Sequence, residues 1–249
     1  MVRCVSRTSR RGSEQLKIRK TVGELLWPNP GEFVASLGGS KESASVQLLE
    51  LVWKGYDRLA RELVGIDFSA PIDDLEREIT QMLEKRIHEV MTGFEPFVIQ
   101  HGPYERETRR PAPAQPPQYD LAFILRANER VMWPLEAKVL PRALSQYIED
   151  VQHEFLTCRY GPFSIEGGML GYVVAGDVED FLAVIAARIP AVLIGHPAFP
   201  TRPHRVSNHS RAVPPAKSYS ADFRIHHLLL VFGDPDAPGG APVGLAPRV

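Results

Sequence analysis

Two neighbouring segments, residues 119–126 and 130–140, are apolar at most positions and are separated only by Ala127-Asn128-Glu129. Side chains on a strand alternate between faces, so apolar residues of both parities demand cover from both sides of a sheet. The pair therefore reads as a β-hairpin turned at Asn128 and buried between helical layers. Pro134 has no N–H to give to a ladder and marks a bulge or an unpaired position. Apart from Arg126 and Arg130 beside the turn, three charged residues interrupt the pattern: Asp120, Glu136 and Lys138. An unpaired charge at a buried position is expensive, so these three must answer one another or a ligand.

Alternation puts Glu136 and Lys138 on one face and Ala137 on the other. With the hairpin centred on Asn128, Asp120 lies opposite Glu136; a slip of one residue sets it against Ala137 instead. Two carboxylates at close range repel, and one is driven to keep its proton unless a cation intervenes. A hard divalent ion with oxygen ligands resolves that conflict, and such an ion grips phosphate and acidifies bound water. Lys138 beside that water would orient it or take its proton, and would offset charge on the phosphate. The acid-x-Lys pattern occurs once, since no other lysine follows an acid by two positions. The competing reading is an internal ion pair without a ligand.

The chain has 249 residues, 44% of them hydrophobic, enough for one substantial core. Val46, Leu49, Val52, Leu59 and Leu63 predict a helix over 45–64. Leu75, Ile79, Met82, Leu83, Ile87 and Val90 predict a second, capped by Asp73 or Asp74 and stopping near Gly93. A strand over 94–100 and a Pro-rich loop over 106–118 precede the hairpin. After it come a helix at 143–156, a strand at 169–175, a helix at 178–189, a short strand at 191–195 and a strand at 223–232. The order α-β-β-β-α-β predicts an α/β fold, a mixed β-sheet flanked by helices with an N-terminal helical extension. The expected divisions are a basic flexible arm (1–20), the helical extension (21–66), the main domain (67–235) and a Gly/Pro-rich tail (236–249).

Two cysteines without a CxxC pair exclude a disulfide scaffold or a Cys-rich zinc site and point to a reducing compartment. No apolar run reaches membrane-spanning length and none follows the basic N-terminus, so the expectation is a cytoplasmic protein with no membrane partner. A net charge of −1 and a pI near 6.7 leave nucleic acid open, because basic surface can be local. Arg3, Arg7, Arg10, Arg11, Lys17, Arg19 and Lys20 make the arm basic. Arg202, His204, Arg205, Asn208, His209 and Arg211 fall in a Pro- and Ser-containing segment that reads as a loop, either solvated or gripping phosphates. His226 and His227 are neighbours on a strand, face opposite ways, and read as structural.

Tyr119-Asp120 followed by Trp133-Pro134-Leu135-Glu136-Ala137-Lys138 resembles the signature of the PD-(D/E)xK nuclease superfamily, with Tyr119 where the family often has Pro. The resemblance spans roughly residues 70–200 and implies a restriction-endonuclease-like core. It implies Asp120 and Glu136 as ligands of Mg²⁺, with Mn²⁺ as a substitute, and Lys138 as the residue that assists the attacking water. The family usually adds a metal-binding acid from the preceding helix, carried here onto Glu78, with Glu76 and Glu84 as rivals. The following helix often adds a polar residue, for which Gln146, Tyr147 and Gln152 are candidates. Residues 158–169 resemble segments of restriction-like proteins of bacterial defence loci. The implied function is a Mg²⁺-dependent endonuclease acting on DNA in phage defence or restriction, working with a defence-system partner protein or as a homodimer. The alternative is a nuclease-fold nucleic-acid-binding or assembly subunit with little cleavage, and DNA versus RNA stays open.

Overall fold

The computed structural model describes residues 43–62, 67–105, 107–108 and 116–232. The basic arm, residues 21–42, most of the Pro-rich loop and the 236–249 tail lie outside the described residues. The chain order is α1 (Ser43–Glu62), α2 (Ile72–Val90), β1 (Phe97–His101), β2 (Leu121–Leu125) and β3 (Met132–Leu140). Next come α3 (Leu144–Asp150), which runs on into a π-helical turn (Val151–Phe155), β4 (Glu166–Val173) and α4 (Val178–Arg188). β5 (Ile194–Gly195), β6 (His204–Ser210) and β7 (Asp222–Val231) complete the order. The strands form one seven-stranded mixed sheet, β1-β2-β3-β4-β7-β6-β5. Its centre, β3-β4-β7, is parallel, and antiparallel pairs make both margins.

The double-sided apolar pattern of the hairpin is answered by two cores. On one face Phe97, Ile99, Phe123, Trp133, Leu135 and Ala137 pack with Leu49, Val52, Trp53 and Leu59 of α1 and with Leu75, Ile79 and Leu83 of α2. On the other Ala122, Ile124, Met132 and Met169 pack with Tyr147 and Ile148 of α3 and with Phe181 and Ile185 of α4. α1 thus shares one core with the sheet. No described helix is long and apolar enough to cross a membrane.

Three expectations change in detail. The N-cap of α2 is Pro71, with no side-chain cap; Asp73 and Asp74 lie inside the first turn, where carboxylates favour the helix dipole. The helix expected over 143–156 widens after Asp150, where the Leu156 N–H reaches back five residues to Val151 O at 3.1 Å. The segment expected as a loop around Arg202–Arg211 contains β6, paired along its length with β7 from His204↔Leu228 to Ser210↔Asp222. Its polar sequence hides a strand because its partner, β7, supplies the apolar half of the pairing.

Gly55 marks the closest approach of α1 to α2: a Cβ there would lie 2.6 Å from Ile87 Cγ1 and 3.0 Å from the Ile87 backbone nitrogen. Gly55→Ala gains about 1 kcal/mol of helix propensity but overpacks a backbone contact at about 1–3 kcal/mol. The expected result is a net loss of stability, read as a lower urea midpoint with an unchanged slope; a raised midpoint would show that the helices separate freely.

Candidate active site

The observed register pairs Leu121 with Leu135 and Phe123 with Trp133, a hairpin centred on Asn128. Extended by one step, that register sets Asp120 against Glu136. Here β2 parts from β3, because the chain before Leu121 pairs with residues 102–105 through Gly102 N→Asp120 O and Tyr119 N→Pro103 O, each 3.0 Å. The amides of β3 beyond the parting point lose their β2 partners, and carboxylates replace them. Asp120 Oδ2 accepts from the Ala137 N–H at 2.7 Å, and the Glu76 carboxylate accepts from the Val139 N–H.

Lys138 sits at the centre. Its Nζ donates to Glu136 Oε1 at 2.9 Å and to Ala137 O at 2.7 Å. It lies 3.2 Å from Asp150 Oδ2, 3.5 Å from Glu76 Oε1 and 3.8 Å from Asp120 Oδ2. Asp120, Glu136 and Lys138 are therefore brought together as the sequence implied. Glu78 is not with them: it is exposed, and the acid that α2 contributes is Glu76. Of the polar residues expected from the following helix, Gln146 is exposed, Gln152 Nε2 donates to Arg188 O, and the Tyr147 hydroxyl bonds His227 Nδ1. Asp150, at the junction of α3 and its π turn, takes that place.

Glu76 had a signal that apolar spacing alone did not expose. At about 100° per residue from Leu75, the buried Ile79, Leu83, Ile87 and Thr80 fall at about 40°, 80°, 120° and 140°. Glu76 falls at about 100°, inside that arc, and Glu78 at about 300°, outside it. Asp150 had a weaker one, one helical repeat after the buried Tyr147 on the buried side of α3.

Four carboxylates surround one ammonium. Burial raises the pKa of Glu136 well above the ordinary carboxyl value, and Asp120 adds to the rise against the pull of Lys138. Burial also raises Asp150, and takes Glu76 up to about 7. For Lys138 burial opposes the charge, but the carboxylates, Glu136 foremost, outweigh it and hold the pKa above its ordinary value. The cluster thus has one fixed cation and more acid than that cation can neutralise. Glu136 is only 7% exposed, and its Oε2 is buried without a hydrogen-bond partner. An all-oxygen donor set with an unspent buried oxygen fits a hard divalent cation, with Asp120 and Glu136 as holders and Glu76 beside them. Glu76 and Asp120 of the cluster line a cavity of about 340 Å³, together with Arg77, His101 and Gln118.

A second group of potential ligands lies elsewhere: His196, His204 and His226 bring ligand-capable atoms within 4.8 Å of one another. Their hydrogen bonds argue against a metal. The Trp53 indole can only donate, and it points at His204 Nδ1 at 3.3 Å, which places the proton of the neutral ring on Nε2. That Nε2 faces His226 Nδ1 at 3.3 Å, and His226 Nε2 faces Glu166 at 3.5 Å. The Ala198 N–H likewise donates to His196 Nδ1. Coordination through Nε2 of His204 or His196 would turn each Nδ1 into a donor facing a donor. Burial and neighbouring rings lower the His204 pKa, and burial lowers that of His226.

The residues expected to grip nucleic acid all have partners within the fold. Arg202 forms a two-pronged pair with Asp57 at 2.7 and 2.6 Å and lies over the Trp53 ring. Arg205 pairs with Glu179 at 3.0 Å. His204 and His209 are buried on β6, the latter bonded to Ser207 Oγ. Arg211 is buried over Phe223 and donates to the carbonyls of Gly161, Ser164 and Ser220. His227, bonded to Tyr147 and Ser207, is satisfied as expected.

The sign of the pH dependence follows from Glu76. Its folded pKa of about 7 exceeds the ordinary 4.5, so its contribution to metal-free stability is full below about 4.5 and is lost as pH rises through about 7. A divalent ion competes with those protons. Its stabilisation, about 2.7 kcal/mol at 100 times Kd, should be larger at about pH 8 than at about pH 5. Thermal unfolding in EDTA against Mg²⁺ or Mn²⁺ at the two pH values measures this; an equal or reversed shift would remove the carboxylates from the binding site.

No family model, curated protein or solved structure matches the chain.

Proposed function

We propose that the protein is a divalent-metal-dependent phosphodiesterase that cleaves DNA, built on a restriction-endonuclease-like core. The observation that carries this reading is the buried, unpartnered Glu136 Oε2 in a cluster of four carboxylates about one lysine. A closed ion pair would need no such excess of acid around one ammonium. The topology supports the reading: α2 precedes three antiparallel strands, and α3 leads to β4, which is parallel to β3.

A Mg²⁺ or Mn²⁺ ion supplies Lewis acidity toward a phosphate oxygen and acidifies a bound water. Asp120, just before β2, and Glu136 on β3 would hold the ion, and the Ala137 N–H holds the Asp120 carboxylate in place. Lys138 stays an ammonium among the carboxylates and so serves as a hydrogen-bond donor, orienting the water and meeting negative charge on the phosphate. Glu76 and Asp150 hold the ammonium from the two helical layers. Work in phage defence or restriction, with a partner protein or as a homodimer, is part of the same proposal.

The test is incubation of the purified protein with plasmid, linear DNA and RNA, in Mg²⁺, in Mn²⁺ and in EDTA. Cleavage is expected only with metal. Asp120→Ala, Glu136→Ala and Lys138→Ala should each lower it about a hundredfold or more, while Glu78→Ala retains it. Full activity in any of the first three would sink the assignment, as would DNA binding in EDTA with no product in either metal.

A further inference from the structure

The face of the sheet that carries the carboxylates continues beyond them. Pairing sets Gln100 beside Ala122 and Ala122 beside Pro134, and Val98 beside Ile124 and Ile124 beside Met132. Directly paired residues share a face, so these two rows lie on the same side as Asp120 and Glu136. The nearer row is two residues along the strands, about 7 Å from the carboxylates. Over them lies a cavity of about 680 Å³, whose floor includes Val98, Gln100, Ile124 and Met132 and whose rim includes Tyr104 and Arg126.

Gly102 lines both this cavity and the smaller one at Glu76 and Asp120. Its φ of +66° is a conformation that favours glycine, and a Cβ there would lie 2.9 Å from Gln118 Nε2. A side chain at this point would press on Gln118, which lines the smaller cavity.

The lining combines apolar side chains with an amide, a guanidinium and an aromatic ring, a mixture suited to a ligand. Tyr104 is 46% exposed, unusual for a side chain so largely apolar, and its position suits a stacking surface. The volume lies in the range of about 300–1,000 Å³ that takes a ligand of nucleotide size. An unstacked nucleotide can enter such a cavity, and an intact duplex cannot.

We infer that this cavity receives an unpaired nucleotide adjoining the scissile phosphate, stacked on Tyr104 and hydrogen-bonded by Gln100, so that the substrate is single-stranded or locally unpaired nucleic acid. This rests on the phosphodiesterase reading of the neighbouring cluster. Single-strand recognition of this kind draws its affinity from base stacking on aromatic rings and is tolerant of sequence.

The experiment measures fluorescence anisotropy of a fluorescein-labelled single-stranded DNA and of its duplex, in EDTA, and cleavage kinetics of both in Mg²⁺. Wild-type protein should bind the single strand at least about tenfold more tightly than the duplex. Tyr104→Ala and Gln100→Ala, both at exposed positions, should each weaken single-strand binding about tenfold. They should raise KM in proportion and leave kcat within about twofold. Unchanged single-strand affinity in both variants, equal affinity of wild type for the duplex, or no binding of the single strand would overturn the inference. Cleavage that persists with such results leaves the phosphodiesterase reading standing. Tyr104-dependent binding without cleavage in any metal retires that reading and keeps the nucleotide cavity.

Discussion

The structure turns on the place where β2 parts from β3. A strand that loses its neighbour exposes a row of amides, and in a buried sheet those amides must be satisfied. Here the replacement acceptors are carboxylates: Asp120 for the Ala137 amide and Glu76 for the Val139 amide. Each acceptor brings a negative charge that a backbone carbonyl would not. Once two are present, Glu136 and Asp150 nearby make the excess too large for Lys138 alone. The parallel pairing of β3 with β4 holds Glu136 and Lys138 on a strand supported on its other edge. The helices bring Glu76 from one layer and Asp150 from the other, so the site draws on all three layers of the fold.

The remaining buried polar groups set a contrast. Arg202 and Asp57 close on each other at two points, and Trp53, His204, His226 and Glu166 form a directional chain from α1 across β6 and β7 to β4. His227 is held from both nitrogens by Tyr147 and Ser207. Such networks rigidify a core when each member is answered. Their charges balance or stay neutral: burial takes His227 down to about 3 and lowers His226, while Glu166, despite burial, is held below its ordinary value by His226 and Ser45. The carboxylate cluster differs because burial pushes three of its acids upward and leaves an oxygen of Glu136 unspent. Charge balance, more than burial, separates the histidine row from the candidate active site.

Much of this was legible in the sequence, for reasons that can be located. Apolar residues on both faces of the hairpin required a covered sheet, and the symmetry about Asn128 set Asp120 against Glu136. Both are local facts of period and turn. Glu76 was legible only from the angle it makes with the buried arc, since apolar spacing that includes the half-exposed Met82 rotates the apparent face toward Glu78. Asp150 was hidden by the π turn, which changes the helical phase just beyond it. β6 was hidden because His204 and His209 are buried by long-range pairing with β7 and by bonds to residues far along the chain, such as Trp53 at a separation of 151 positions. No local pattern records such partners.

The same asymmetry explains why a pocket and a charged cluster share one face. On the α1–α2 side the core runs without interruption from Phe97 across Phe123 and Trp133 to Leu170. On the α3–α4 side Tyr147, Ile148 and Phe155 pack over β4 and β7, while a cavity lies over Gln100 and Val98 of β1. Helical cover is therefore closest at β4 and β7, and a cavity remains on that face over β1. Glu76 and Asp120 line the smaller cavity, which a substrate can enter, while Glu136, joined to them through Lys138, is desolvated enough for its charge to matter. Full cover would have sealed Glu136 in the core, and full exposure would have let water screen its charge. The chemistry sits at the edge of the helical layer because only there are both conditions met.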